Sequence, residues 1–115
     1  MIKDEDSILT SIKKLLGIEK EYTQFDIDLI VYINSVFMVL NQLGIGPTLG
    51  YSIKDSNNLW TEFLEEGDLL NSAKSYIYLK VKLLFDPPIS SASMDSTNKL
   101  INEFEWRMNV KTETK

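Results

Sequence analysis

The chain contains no cysteine and no histidine. Without cysteine it has no disulfide and no thiolate metal centre. Without histidine, the usual general base near neutral pH and the commonest metal ligand are both missing. Proline is scarce, at three residues, and two of these are adjacent, Pro87 and Pro88. No apolar run reaches the roughly 20 residues that a membrane-spanning helix needs. The longest candidate, residues 27–43, is interrupted by Asp28, Asn34, Ser35, Asn41 and Gln42. The start, MIKDEDS, is acidic and lacks the basic opening of a secretory leader, so synthesis in the cytosol is expected. No P-loop and no dinucleotide-binding glycine pattern occurs. Gly44, Gly46 and Gly50 have the wrong spacing for either and read as turns.

What is present fits a single domain spanning residues 1–115. A chain of this length buries about two thirds of its unfolded surface, enough for a core without covalent staples. The net charge of −5 argues against a basic face that grips phosphates.

The stretch from Asp68 to Pro88 is the most apolar long segment. Leu70, Ala73, Ile77, Val81 and Leu84 recur at three- and four-residue steps, with Leu69, Tyr76, Leu83 and Phe85 beside them. A helix apolar over most of its circumference is a central one. Tyr76 to Leu83 also alternates as a strand would, but the pattern holds from Leu69 to Phe85, too long for a typical strand. Lys80 then lies near the apolar side and its stem must snorkel. Asp86-Pro87-Pro88 stops the helix and forms a stiff elbow, because proline lacks the amide proton and disfavours helix at the preceding residue.

Elsewhere, residues 7–16 carry an apolar stripe of Ile8, Ile12, Leu15 and Leu16. Asp6 is the expected cap, Lys13 and Lys14 sit near the far end, and Gly17-Ile18 is a glycine stop. A second helix is expected over residues 24–43, with Leu29, Ile33, Val36, Leu40 and Leu43 inward, Thr23 and Asp26 as a capping box, and Gly44 as its end. It is expected to pack on the central helix. Residues 45–58 read as irregular, with a minor edge strand over residues 51–54. Asn58 is expected to cap a short helix over residues 59–64, pinned by Trp60 and Phe63. After the elbow, Ser91 or Ser93 caps a last helix reaching about Asn109. Met94, Ile101, Phe104 and Met108 share its face, Leu100 and Trp106 flank it, and residues 110–115 form a frayed tail. The expectation is all-α: four main helices plus a short one, with a loop and minor strand between the second long helix and the short helix.

Candidate chemistry is thin. Asp26 with Asp28, the acids of residues 62–68, and Glu103 with Glu105 read as helix-start acids and solvated faces, since no histidine or known motif accompanies them. The serines lack a recognisable activating base. Lys74, Lys80 and Lys82 interleave with Tyr76 and Tyr78, a composition seen in single-strand binders, but snorkelling lysines on a central helix explain it. Trp106 with Arg107 supports two readings: an interface anchor, since both types are enriched at hot spots, or simple packing of Trp106 onto the body.

Three stretches, ILTSIKKLLG at 8–17, YIYLKVKLLFDPP at 76–88 and EFEWRMNV at 103–110, together with the asparagine-bearing second helix, resemble the head–tail connector (adaptor) family of tailed phages of Gram-positive bacteria. The resemblance implies a structural virion protein of the neck, assembled in the host cytoplasm, with no enzymatic activity and no cofactor. It implies a homo-oligomeric ring beneath the portal protein, for which a dodecamer is one count, extending the DNA channel and docking a stopper or tail-completion protein. DNA passes through without specific binding, and no membrane is involved. By the same resemblance the last helix reaches the portal, which singles out Glu103, Trp106, Arg107 and Val110, with Asp86, Pro87 and Pro88 as the structural elbow. Two rival readings are a small helical regulator of a host or phage protein and an acidic-site metal-dependent nuclease using Asp26 or Asp28.

Overall fold

A computed structural model describes residues 2–113. Five helices are present and no strand among the described residues: α1 (Ile8–Leu15), α2 (Asp26–Gln42), α3 (Trp60–Phe63), α4 (Asp68–Phe85) and α5 (Ser91–Glu113). The all-α expectation therefore holds, and the alternating stretch in α4 is helical. Helix α4 is central, packing on α2 along one side and on α5 along another. Its hydroxyl Tyr76 donates to Glu105 Oε2 at 3.0 Å, and Asp68 lies 3.5 Å from the Lys111 ammonium near the other end. Those two pairings fix α4 and α5 as antiparallel. The body is flat, 41 × 39 × 20 Å, about two helix diameters thick.

One core joins all five helices. Ile8, Leu9 and Ile12 of α1 meet Leu29, Ile33, Val36, Phe37 and Leu40 of α2 and Leu70, Ala73, Tyr76, Ile77 and Val81 of α4. Trp60 and Phe63 pin α3 as expected, and Ile101 and Met108 anchor α5. Phe37 packs edge-on against Phe63 at 4.7 Å between ring centres and Tyr51 at 5.1 Å, a favoured aromatic geometry. Leu9 was not in the expected stripe. Leu15 and Leu84 were, yet both are exposed, because no neighbouring element covers their side of α1 and α4.

The helix ends follow local chemistry. After α1 the Ile18 amide donates to the Lys13 carbonyl at 2.8 Å and the Gly17 amide to Lys14 at 3.1 Å; after α2 Ile45 and Gly44 repeat the pattern on Leu40 and Asn41. Both glycines take positive φ, 81° and 79°, which is what this stop requires. The caps differ from expectation. Ser7, not Asp6, caps α1: its Oγ accepts the Thr10 amide at 3.2 Å, while the Asp6 carbonyl is taken by the Trp60 amide. Helix α2 starts at Asp26 with no side-chain cap, so Thr23 forms no capping box. Asn58 does not cap α3; its Oδ1 accepts the amides of Lys54 and Asp55, and Glu62 reaches back to the Leu59 amide instead. Ser90 rather than Ser91 or Ser93 caps α5, accepting the Ser93 amide at 3.1 Å. Helix α5 runs on to Glu113, so residues 110–113 are helical rather than frayed, and residues 114–115 lie outside the described chain.

The expected edge strand is also absent. Residues 51–54 are extended, but the partner of Ile53 is a side chain: Asn34 of α2 accepts its amide at 2.7 Å and donates to its carbonyl at 3.0 Å. Two turns further along α2, the Asn41 amide reaches the carbonyls of Pro47 and Thr48. Among the described residues one bridge of β type joins Ser7 and Leu59, flanked by Ile8 amide to Asn58 carbonyl and Trp60 amide to Asp6 carbonyl. Trp60 Nε1 donates to Ser11 Oγ at 2.9 Å, which completes the stitch between α1 and α3.

Lys13 is the largest departure. It was expected near the far end of α1, where it is found, but it is only 2% exposed. Its ammonium donates to the carbonyls of Lys20 at 3.0 Å and Tyr22 at 2.7 Å and lies 2.8 Å from Asp26 Oδ1. That ion pair is the one polar contact the buried Asp26 oxygen makes among the described residues. The lysine therefore ties α1, the connecting turn and the first residue of α2 together.

Lys13→Met keeps most of the side-chain volume but strands the carboxylate and two carbonyls. Removing one partner of a buried pair costs about 3–5 kcal/mol. Denaturant unfolding should report a loss of that size; a loss under about 1 kcal/mol, the scale of an exposed pair, would contradict the clamp. Glu62 gives a second test. The Leu59 amide, the Tyr51 hydroxyl at 2.8 Å and the Asn58 amide hold its carboxyl below the ordinary value of 4.5. Its folded form thus binds fewer protons than the unfolded chain, so its contribution is complete above that value and is lost as pH falls through the lower folded one. Glu62→Gln should flatten part of the acid limb of stability against pH; an unaltered limb would assign that dependence to other carboxylates.

Candidate interaction surface

Helix α5 is held by one side only. Ile101 and Met108 are buried, Phe104 is partly buried, and Glu105 receives the Tyr76 hydroxyl. Burial, and then that carboxylate, push the Tyr76 hydroxyl above its ordinary range. The opposite side is free. Glu103, Trp106, Arg107 and Val110 follow one another at steps of three, one and three residues, which places them on one outward stripe. All four are exposed, and Trp106 is 66% exposed.

The packing reading of Trp106 therefore fails: the indole lies on the surface of the described chain. Arg107 pairs with Glu103 one turn earlier, and its guanidinium lies 5.7 Å from the centre of the Phe104 ring. An exposed pair of this kind adds little stability, about 0.3–0.5 kcal/mol. Its effect is to hold a planar donor group over the Phe104 ring. An exposed indole and a positioned guanidinium on one stripe suit protein recognition.

The elbow sets where this stripe points. Asp86 leaves the helical region with φ −146° and ψ 73°, while its amide still donates to Lys82 at 2.7 Å. Pro87 and Pro88 follow, and Ser90 starts α5 in the opposite direction. Lys82 and Asp86 form a loose 3.8 Å pair at the surface. Phe85 packs edge-on against Phe25 at 5.1 Å, so the elbow is fastened to the start of α2.

The acidic residues raised as ligands do not converge. Asp26 is engaged by Lys13, Asp28 faces solvent, and among the described residues no three acids gather as a metal site would require. Lys80 is half-buried on α4, its ammonium 5.6 Å from the Tyr76 ring, and Lys74 lies 5.5 Å over Trp60. No helix is long and apolar enough to cross a membrane among the described residues.

A second exposed apolar row was missed. Ile27, Val31 and Met38 lie on the solvent side of α2, and Leu49 is fully exposed at the tip of the following loop. The signal was available: α2 is apolar on more than one side, and the spacing 27, 31, 38 repeats helical steps. Fitting a single inward stripe absorbed it.

The described residues thus form a small all-helical domain with an exposed aromatic and guanidinium stripe on its last helix. A family model described as phage connector protein matches residues 8–115, from the first residue of α1 to the end of the chain, and the chain belongs to that family. Membership supports a structural connector role in a phage virion. No curated protein and no solved structure matches the chain.

If Trp106 is unburied in the free protein, its removal should leave folding almost untouched. Trp106→Ala should shift unfolding free energy by less than about 0.5 kcal/mol, as surface changes do. Met108→Ala, on the buried side of the same helix, should cost about 2–5 kcal/mol. Equal losses in the two variants would return Trp106 to a packing role.

Proposed function

We propose that the protein is a head–tail connector adaptor of the virion neck, forming a homo-oligomeric ring beneath the portal protein. The ring extends the DNA channel and offers a platform for a stopper or tail-completion protein. The outward stripe of α5, Glu103, Trp106, Arg107 and Val110, meets the portal, with the Asp86-Pro87-Pro88 elbow setting its direction. The observation that carries this reading is the connector family match running from α1 to the chain end. The exposed indole and guanidinium on its last helix supply an anchor of suitable chemistry.

Charge supports the DNA part of the reading. A net charge of −5 disfavours a tight grip on a passing duplex, so transit is not stalled by phosphate contacts. A ring requires a head-to-tail contact, which needs two different and complementary patches on each subunit.

The test is co-purification with the portal protein encoded in the same genome, read by sizing and electron microscopy. The expected result is a stoichiometric ring stacked on the portal. A folded adaptor that ignores a competent portal would sink the assignment and bring forward a small regulatory module. Trp106→Ala should weaken portal binding by about 2 kcal/mol or more, roughly thirtyfold.

A further inference from the structure

Besides the α5 stripe, the molecule leaves two apolar features uncovered, and they differ in shape. One is a ridge: Ile27, Val31 and Met38 on α2, with Val31 57% exposed. From Ile27 to Met38 the ridge runs about 16 Å along the helix. The other is a groove of about 390 Å³ whose floor is α4 and whose walls are α1 and α5. Leu15, Lys74, Tyr78, Leu79, Leu100 and Phe104 line it. Leu15 and Leu100 form its rims and are 58% and 46% exposed.

We infer that neighbouring copies join by seating the α2 ridge of one in the α1–α4–α5 groove of the next. This rests on the ring reading above. Charge favours a second copy as the occupant. Helix α2 carries Asp26 and Asp28 and no cation. Asp26 is taken up by Lys13, but Asp28 is exposed and has no ion partner among the described residues. The groove side is the reverse. Lys74 lines it, with its ammonium over the Trp60 ring and no carboxylate partner among the described residues. An acid beside the ridge and a cation in the groove, neither with an ion partner among the described residues, give the contact a direction, since complementary charge fixes register and disfavours the wrong pairing. Two ridges face to face would gather acids without a counter-charge.

The contact is heterologous, so it propagates from copy to copy and closes into a ring when the rotation allows. It leaves Trp106 free, since Phe104 in the groove and Trp106 are two residues apart, which turns them about 200° around the helix. Leu100 of the groove precedes Glu103 by three residues and Arg107 by seven, so the two contacts adjoin along α5.

The absence of native cysteine makes the test direct. Val31→Cys and a tagged Leu100→Cys, each the sole thiol of its chain, are checked for folding by circular dichroism. They are then mixed and oxidised, with and without the portal protein. The expected product is the mixed Val31–Leu100 disulfide dimer, in excess over either homodimer. Rings on the portal without that product would overturn the joint and leave the connector reading standing. A dominant Val31–Val31 dimer would also overturn it, in favour of a two-fold contact. The mixed dimer without any portal binding would uphold the joint and remove the portal reading. Neither product, with no portal binding, would remove both. Asp28→Lys should weaken assembly and Lys74→Glu should restore it when the two changes are combined; no restoration would remove the charge argument.

Discussion

A buried ammonium holds the amino-terminal half in place. Lys13 meets two carbonyls of the connecting turn and the carboxylate that opens α2. Burying a charge is costly unless geometry and extra hydrogen bonds offset the lost hydration. Here the offset is geometric, because one side chain replaces three water contacts and sets the angle between α1 and α2. The glycine stop after α1 brings the turn back over the lysine, with the Ile18 amide on the Lys13 carbonyl. Once α2 is placed, its inward residues fix α4, and α4 fixes α5. The exposed stripe on α5 inherits its position from that sequence of contacts.

Much of this was readable from residue order, and the parts that were not share a cause. Periodicity located α2 and α4, glycines marked the ends of α1 and α2, and the paired prolines marked the elbow. Those signals are local. Lys13 does lie in the last turn of α1, as its position beside Lys14 implied, but its burial was not legible, because its partners at residues 20, 22 and 26 appear only after the chain turns back. The role of Asn34, pairing with the Ile53 backbone, was not legible either, because it depends on a loop that has no periodicity. Leu15 and Leu84 failed differently: their apolar character was correct, but no intramolecular element covers them.

The candidate surface divides along the same line. Glu103, Trp106, Arg107 and Val110 share one side of any helix, so their grouping was legible from spacing. Whether that side faced the core or solvent was not, since Trp106 suits either; the structure decides for solvent. The ridge on α2 and the groove beside Leu100 escaped notice because a groove is made by three helices and has no sequence pattern of its own.

The separation of contacts along the chain has a consequence for how the protein is made. The α4–α5 hairpin closes through a five-residue connection and needs little loop entropy. The stitch between Ser7 and Leu59 encloses about fifty residues and closes later for the same reason. Synthesis proceeds from the other end. Helices α1 and α2 leave the ribosome before the α3 residues they are stitched to, and long before the α4 face that covers α2. The emerging half-molecule therefore holds apolar faces open on both sides of α2 for the time it takes to translate the rest, and the Lys13 clamp, whose partners all lie within thirteen residues, is the first tertiary contact available to keep it compact.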